Sequence, residues 1–160
     1  MTEDVPPLPA APRQAAERRA SFMFEATLDD VARVAQALRV FLPAEVGEEA
    51  KNEIEIGVVE AMTNIVRHSY GEGHPGFIEI SYNFSNGLIV IELTDHGKPM
   101  AEDLQLHADT EAFDFDPADI AHLPESGMGL ALMRATFDRI AYRRGENVNT
   151  LRMEKAVISG

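Results

Sequence analysis

Three short motifs lie at the ends of apolar segments in this chain, and their order constrains which fold it can adopt. They are Glu60-Ala-Met-Thr-Asn64-Ile-Val-Arg-His68, Asp95-His-Gly97-Lys-Pro99 and Gly127-Met-Gly129-Leu130. The apolar residues around them have the spacing of a helix, a strand and a second helix, respectively. The motifs therefore place polar groups on a helix face, at the end of a strand and at the start of a helix.

The first motif lies in a segment from about Glu45 to His68 that has no proline and spaces its apolar residues as a helix does. At about 100° per residue, the face opposite the apolar stripe carries Glu60, Asn64, Arg67 and His68. A carboxylate there can orient or deprotonate a hydroxyl, and an amide oxygen suits a hard cation such as Mg²⁺. Taken alone, the same pattern also fits the solvated face of any amphipathic helix.

The second motif ends the run Leu88–Asp95, which has the composition of a buried strand that enters a glycine turn. A carboxylate at the carboxyl end of a strand can accept a hydrogen bond from an exocyclic amine, and Gly97 lets a ligand approach the backbone. The alternative is an ordinary turn, since D-x-G is common in turns.

The third motif places Gly127 and Gly129 just ahead of a helix predicted from Leu130 to Phe137. Free N–H groups at a helix start can hold phosphate oxygens. A loop that leads into a packing helix is the alternative interpretation.

Composition narrows the possible classes of protein. The chain has 160 residues, of which 45% are hydrophobic, which suits one core and is too short for two. It has no cysteine, which excludes disulfides, thiolate metal sites and a cysteine nucleophile. Its net charge of −13 disfavours direct binding to nucleic acid. Because no signal peptide or membrane-spanning run is recognisable, we expect a cytoplasmic protein without membrane contact.

The order of predicted helices and strands along the chain predicts a two-layer α/β sandwich. Residues 1–19 are rich in proline and are expected to form a flexible tail, and residues 20–160 a single domain. Thr27 and Asp30 form a variant capping box for a helix that ends near Phe41. Strands are predicted at 21–26, 77–84, 88–94, 139–143 and 147–154, with a hairpin at Asn86-Gly87.

In their order and spacing, the three motifs resemble the ATP-binding region of the Bergerat-fold (GHKL) ATPases. His68-Ser-Tyr70 and the stretch from Gly127 to Asp138 resemble the anti-sigma-factor serine/threonine kinases. The likeness covers about residues 22–155. It implies about three helices on one face of a mixed, mostly antiparallel sheet, and an ATP lid at about residues 100–126.

The resemblance also implies roles for individual residues. Asn64 matches the Mg²⁺ ligand of the family, and Glu60 matches the general base. Asp95 matches the residue that recognises adenine, with Gly97 beside it. His68 matches a position near the nucleotide, although a histidine at a helix end also serves as a structural hydrogen-bonding group.

Further positions match the phosphate-binding part of the family site. The glycine box beneath the triphosphate corresponds to Gly127, Met128, Gly129 and Leu130. Thr150 is a loose match for the Gly-Thr of the family's late strand. ATP and Mg²⁺ are therefore the implied cofactors.

Two features depart from the family pattern. Lys98-Pro99-Met100 replaces a further glycine or a Pro-Phe-Asp run, and proline removes an N–H donor from this turn. The predicted lid, residues 101–126, contains eight acidic residues and no lysine or arginine, with Glu125 where some family kinases have a basic residue. Cations stabilise the charge that develops on a γ-phosphate, so Lys98, Arg134 or a partner would have to supply one. An acidic loop that is simply solvated is the alternative.

The resemblance implies an anti-sigma-type serine/threonine protein kinase. Such a protein would sequester a sigma factor or similar regulator, phosphorylate an anti-anti-sigma protein of the STAS type, and form a homodimer. The implied contact surface lies at about Phe22 to Val40, with Arg33 and Arg39 as exposed candidates. The acidic lid favours an alternative, a nucleotide-dependent binding module that transfers no phosphate. A third, the catalytic domain of a histidine kinase, is disfavoured because the segment before Phe22 is too short for a dimerisation hairpin.

Overall fold

The computed structural model describes residues 17–71, 76–100 and 125–157. In chain order its elements are β1 (Arg18–Glu25), α1 (Leu28–Phe41), α2 (Glu48–Asn64), a π-helical segment (Ile65–Tyr70), β2 (Phe77–Ser85), β3 (Leu88–Asp95), α3 (Glu125–Thr136), β4 (Arg139–Arg144) and β5 (Asn149–Ala156). The strands form one sheet in the order β1-β2-β3-β5-β4. All neighbouring strands in this sheet are antiparallel, so the expected mixture of directions was wrong, while the predicted α/β class is confirmed.

One face of the sheet is covered by the helices and forms the core. Along β3 the buried positions alternate with half-buried ones, as a strand with one covered face requires. The buried row of β3 consists of Ile89, Ile91, Leu93 and Asp95. It packs with helix residues such as Leu38, Ile54, Val58, Met62 and Met133. Asp95 therefore ends an apolar row and lies on the helix side of the sheet.

Helix α1 begins at the predicted cap. The Thr27 hydroxyl oxygen accepts a hydrogen bond from the Asp30 backbone N–H at 3.2 Å, which confirms Thr27 as the N-cap. The Thr27 backbone N–H donates to the Glu25 carbonyl oxygen at 2.8 Å and not to the Asp30 carboxylate, so the reciprocal half of the predicted capping box was wrong. Arg39 joins α1 to α2, because its guanidinium donates to Glu55 at 2.9 Å and to Glu48 at 2.6 Å. These two hydrogen bonds raise the pKa of Arg39. The Arg39 side chain therefore has partners within the fold.

Helix α2 packs closely on the end of α3. A Cβ atom at Gly57 would lie 2.8 Å from Phe137 Cε2 and 3.2 Å from Thr136 Cγ2, so only glycine fits without a shift. The Thr136 hydroxyl also donates to the Glu53 carbonyl oxygen at 3.3 Å. These contacts fix the helix that carries the first motif relative to the helix that carries the third.

Several predicted boundaries were wrong. The helix predicted from Glu45 to His68 begins at Glu48, because residues 43–46 form a turn in which the Val46 N–H donates to the Pro43 carbonyl oxygen at 3.1 Å. It ends as an α-helix at Asn64 and continues in a wider, π-helical form to Tyr70. Residues 101–124 of the lid predicted at about 100–126, and residues 1–16 of the predicted tail, lie outside the described residues. Helix α3 begins at Glu125, inside the predicted lid, and β1 begins at Arg18, inside the segment expected to be a tail.

Candidate nucleotide site

The turn after β3 is organised around the carboxylate of Asp95. This side chain is only 3% exposed. Its Oδ1 atom accepts hydrogen bonds from the Gly97 backbone N–H at 2.9 Å and from Asn149 Nδ2 at 3.1 Å. Within the described part of the chain both hydrogen bonds to this carboxylate end on Oδ1. The second oxygen, Oδ2, therefore retains its capacity to accept a hydrogen bond from a ligand.

Asn149 is a further candidate site residue that none of the three sequence motifs includes. It is 3% exposed and is the cross-strand partner of Asp95 between β3 and β5. Its amide nitrogen donates both to Asp95 Oδ1 and to the Gly97 carbonyl oxygen, each at 3.1 Å. A sequence signal did exist: Asn149 precedes the buried Leu151 and Met153 at two-residue intervals, which assigns it to the covered face.

Thr150, the predicted ligand on this strand, lies on the other face of the sheet. It pairs with Thr94, and both are half-buried positions that alternate with the covered row. Since neighbouring residues of a strand face opposite sides, Thr150 cannot share the face that carries Asp95. The structure thus brings Asn149, and not Thr150, to the carboxylate.

The end of the motif helix contacts the turn directly. The Ser69 carbonyl oxygen accepts a hydrogen bond from the Lys98 backbone N–H at 2.7 Å. A Cβ atom at Gly97 would overlap this carbonyl group and would lie 2.7 Å from Ser69 Cβ. Gly97 is therefore required by the close approach of two backbone segments, and the first and second motifs meet here.

Tyr70 strengthens the same contact. Its hydroxyl donates to the Phe77 carbonyl oxygen at 2.7 Å and accepts from the His96 backbone N–H at 2.9 Å. The π-helical segment brings Ser69 and Tyr70 to the turn, and widened helical turns of this kind are frequent at functional sites. The sequence motif contained Tyr70, but nothing in the sequence indicated the widening.

Two contacts from the β4–β5 hairpin complete the turn. His96 Nδ1 lies 2.7 Å from the carbonyl oxygen of Asn147, a residue with a φ of 61°. The Tyr142 hydroxyl accepts from the Met100 backbone N–H at 2.8 Å, and burial raises the pKa of Tyr142. The segment from Asp95 to Met100 is thus held by the π-helical segment, by β5 and by the β4–β5 hairpin.

Glu60 and Asn64 lie one helical turn apart on α2, and both side chains are half-buried. Glu60 lines a groove of about 420 Å³ between α1 and α2, together with Val31, Val59 and Arg67. Arg67 and His68, which were expected to share an α-helical face with Glu60, lie exposed in the π-helical segment. The predicted helix face is therefore retained for Glu60 and Asn64. Arg67 still lines the same groove as Glu60, although Arg67 and His68 lie in the wider, π-helical segment.

The donor set fits a magnesium ion bound largely through a nucleotide. Within residues 17–71, 76–100 and 125–157, no group of three acidic or histidine side chains could hold a metal. Mg²⁺ commonly takes one or two protein oxygens and completes its shell with phosphates and water. The Asn64 side-chain oxygen is suited to that role.

The glycine box lies inside helix α3. The helix begins at Glu125 and not at Leu130. Gly127 and Met128 are among its first four residues, whose N–H groups have no acceptor within a helix, whereas Gly129 and Leu130 belong to the following turn. A glycine costs only about 1 kcal/mol relative to alanine within a helix, an amount that packing can outweigh.

A second hollow, of about 500 Å³, lies on the open face of the sheet. It is lined by Arg19, Ser81, Asn83, Glu92 and Arg152, among others. The described residues of the three motifs do not line this hollow.

No helix in the described ranges is long and apolar enough to cross a membrane.

The described residues form a five-stranded antiparallel sheet with three helices on one face, and a buried carboxylate lies in the turn after β3 that the motif segment contacts. The family model described as histidine kinase-like ATPase domain matches residues 24–155. The chain therefore belongs to this family. The resemblance to the GHKL superfamily is confirmed.

Curated relatives point to one branch of the family. The chain is 31% identical over 102 residues to the serine-protein kinase RsbW of Halalkalibacterium halodurans, a match that covers 60% of this chain and 57% of the relative. It is also 31% identical over 110 residues to the serine-protein kinase RsbW of Bacillus thuringiensis, covering 62% and 60%, respectively. The chain thus spans under two thirds of the length of these relatives. They confirm the resemblance to the anti-sigma-factor kinase branch.

Solved structures confirm the fold. The RsbU and RsbW domains of a Mycobacterium tuberculosis protein superpose with a TM-score of 0.60 at 17% identity, covering 88% of this chain and 32% of that one. The catalytic domain of the histidine kinase ThkA superposes with a TM-score of 0.51 at 16% identity, covering 87% and 99%. At these identities the likeness concerns the fold alone.

Proposed function

We propose that the protein is an ATP-dependent serine/threonine protein kinase of the anti-sigma type. In this role it binds Mg-ATP, sequesters a sigma factor or similar regulator, and phosphorylates a STAS-type anti-anti-sigma protein. It acts in the cytoplasm, as a homodimer. The observation that carries the proposal is the contact between Ser69 and Lys98, because it joins the helix of Glu60 and Asn64 to the turn of Asp95.

The turn supplies the nucleobase contact. Asp95 Oδ2 accepts a hydrogen bond from the exocyclic amine of adenine, while Oδ1 stays engaged with the Gly97 N–H and Asn149. The approach of the base is close because position 97 has no side chain. The N–H groups at the start of α3, including that of Gly127, donate to the phosphate oxygens.

The motif helix supplies the phosphoryl-transfer chemistry. Asn64 contributes an oxygen ligand to Mg²⁺, which neutralises charge on the phosphates when bound. Glu60 accepts the proton of the acceptor hydroxyl as that oxygen forms its bond to the γ-phosphorus. The bond from γ-phosphorus to the bridging oxygen breaks, and ADP leaves with both electrons of that bond.

The relatives named serine-protein kinases support transfer to a Ser or Thr hydroxyl.

The acidic composition of the predicted lid favours a second function. The segment 101–126 has eight acids and no lysine or arginine, so it offers no cation to a γ-phosphate during transfer. A nucleotide-dependent binding module, which holds its partner without phosphorylating it, is therefore the second candidate.

Transfer of labelled γ-phosphate from Mg-ATP to a panel of STAS-type proteins from the same genome tests the kinase function. We expect one protein of the panel to be labelled on Ser or Thr. Glu60→Gln should lower the transfer rate by about 10²-fold to 10⁴-fold and leave ATP affinity nearly unchanged, because it removes a general base and no ATP contact. Glu49→Gln, on the exposed part of the same helix, is the matched control and should transfer like the wild type.

Asn64→Ala should weaken Mg-ATP binding, measured by calorimetry, because it removes the metal ligand. ATP binding without labelling of any protein in a complete panel would contradict the kinase function. That result would favour the nucleotide-dependent binding module.

A further inference from the structure

Asn149 makes a double contact that neither the motifs nor the family resemblance assigns. Its amide nitrogen donates to Asp95 Oδ1 and to the Gly97 carbonyl oxygen, each at 3.1 Å. The residue is 3% exposed and begins β5, opposite the last residue of β3. Its side chain is therefore held between two backbone segments of the candidate nucleotide site.

The chemistry of the two partners settles the orientation of the amide. A carboxylate oxygen and a carbonyl oxygen both accept hydrogen bonds, so the NH₂ group of Asn149 must face them. A reversed amide would put an oxygen against two acceptors. Asn149 thus acts at this point purely as a donor.

The contact also selects between the two carboxylate oxygens of Asp95. Both the Asn149 amide and the Gly97 N–H donate to Oδ1, so Oδ2 is the oxygen that keeps free acceptor capacity toward the described part of the chain. Without Asn149, the Gly97 N–H would be the remaining hydrogen-bond donor to this carboxylate among the described residues.

We propose that Asn149 determines the base specificity of the nucleotide site by holding the Asp95 carboxylate in the orientation that accepts a hydrogen bond from an exocyclic amine. It is a positioning residue that acts through Asp95, and the inference rests on the ATP site of the proposed function. A purine with an amine at position 6 is selected. A purine with a carbonyl there sets an acceptor against a carboxylate and is rejected, as sites built to pair with a polar group reject analogues that lack it.

Calorimetric titration with ATP, purine riboside triphosphate and inosine triphosphate tests this role. Purine riboside lacks the 6-amine, and inosine replaces it with a carbonyl. We expect the wild type to bind ATP at least about tenfold more tightly than purine riboside triphosphate, which corresponds to one hydrogen bond to a charged group. Inosine triphosphate should bind most weakly of the three.

Asn149→Ala should weaken ATP binding by about tenfold and change the affinity for purine riboside triphosphate by less than about twofold. The preference for the amine should then largely disappear. Asn83→Ala, which changes an asparagine on the open face of β2, is the matched control and should keep the wild-type preference.

Asn149→Asp offers a second, nearly isosteric variant that cannot donate at neutral pH. It sets a carboxylate against Asp95, so ATP affinity should fall further than in Asn149→Ala at about pH 7.5. Affinity for purine riboside triphosphate should change much less, because this analogue has no amine to pair with Asp95. The variant keeps the test available if Asn149→Ala does not fold.

Equal loss of affinity for ATP and purine riboside triphosphate in a folded Asn149→Ala protein would overturn the proposal, and so would an unchanged preference for ATP. In both cases the wild type still binds ATP, and the proposed kinase function survives. A wild type that binds no adenine nucleotide would refute the proposed function and this inference together.

Discussion

Gly97→Ala is the substitution that most directly strains the junction between the motif helix and the β3 turn. The added Cβ would overlap the Ser69 carbonyl group, with its carbon at 2.6 Å. Both sides of this contact are backbone, so no flexible side chain can move aside. The two segments must separate, and the hydrogen bond from the Lys98 N–H to the Ser69 carbonyl oxygen, now 2.7 Å long, is lost.

Two contributions determine how much stability Gly97→Ala loses. Overpacking of a well-fitted contact costs about 1–3 kcal/mol, and loss of one hydrogen bond about 1 kcal/mol. We therefore expect Gly97→Ala to lower the free energy of unfolding by about 2–4 kcal/mol, or the melting temperature by about 5–15 °C for a domain of this size. ATP affinity should also fall, because Asp95 lies two residues before the displaced atom.

Thermal unfolding followed by circular dichroism, with and without Mg-ATP, measures both effects. Gly47→Ala is the control, because a Cβ there meets no atom within 4 Å. Gly47 is the N-cap of α2, where alanine is disfavoured, so the control should lose no more than about 1 kcal/mol. A Gly97→Ala protein as stable as this control, with wild-type ATP affinity, would refute the reasoning.

Three further predictions concern stability. Gly57→Ala should cost a net of about 1 kcal/mol in urea unfolding, since a gain of about 1 kcal/mol in helix propensity is outweighed by the contact with Phe137; a net gain would show that the ring moves freely. Tyr82→Phe should leave stability unchanged or raise it by up to about 1 kcal/mol at neutral pH, because the buried hydroxyl has no partner among the described residues. Burial also raises the pKa of Tyr82 to about 12. The stability that depends on the protonated hydroxyl is therefore complete below pH 10 and is lost as the pH rises toward 12, so alkaline melts of Tyr82→Phe should decline less steeply than those of the wild type. Thr27→Ala should lose about 1 kcal/mol of stability with the cap of α1, whereas Thr27→Ser should retain most of it; equal melting temperatures would contradict the cap assignment.

Local chemistry explains what the sequence could predict. The hairpin between β2 and β3 was predicted from Asn86-Gly87, and both residues adopt a positive φ, of 51° and 75°. The capping residue Thr27 was likewise readable, since a cap depends on atoms within one helical turn. Apolar alternation in β3 was sufficient to place Asp95 at a strand end.

Long-range geometry explains what was missed. The π-helical widening after Asn64 is stabilised by contacts to the turn at Gly97, which is far away in the sequence. Contacts between distant segments leave no local signal. The prediction of Thr150 failed for a different, local reason. It rested on residue type, whereas alternation from the buried Leu151 and Met153 gives the covered position to Asn149.

The site can be tested most directly by following backbone and Asn side-chain amide chemical shifts while Mg-ATP is added to the isotopically labelled protein. We expect saturable shifts at His96, Gly97 and the Asn149 side chain, with further shifts at Asn64. Shifts confined to the open-face hollow near Arg152, or none at all, would contradict a nucleotide site at the end of β3.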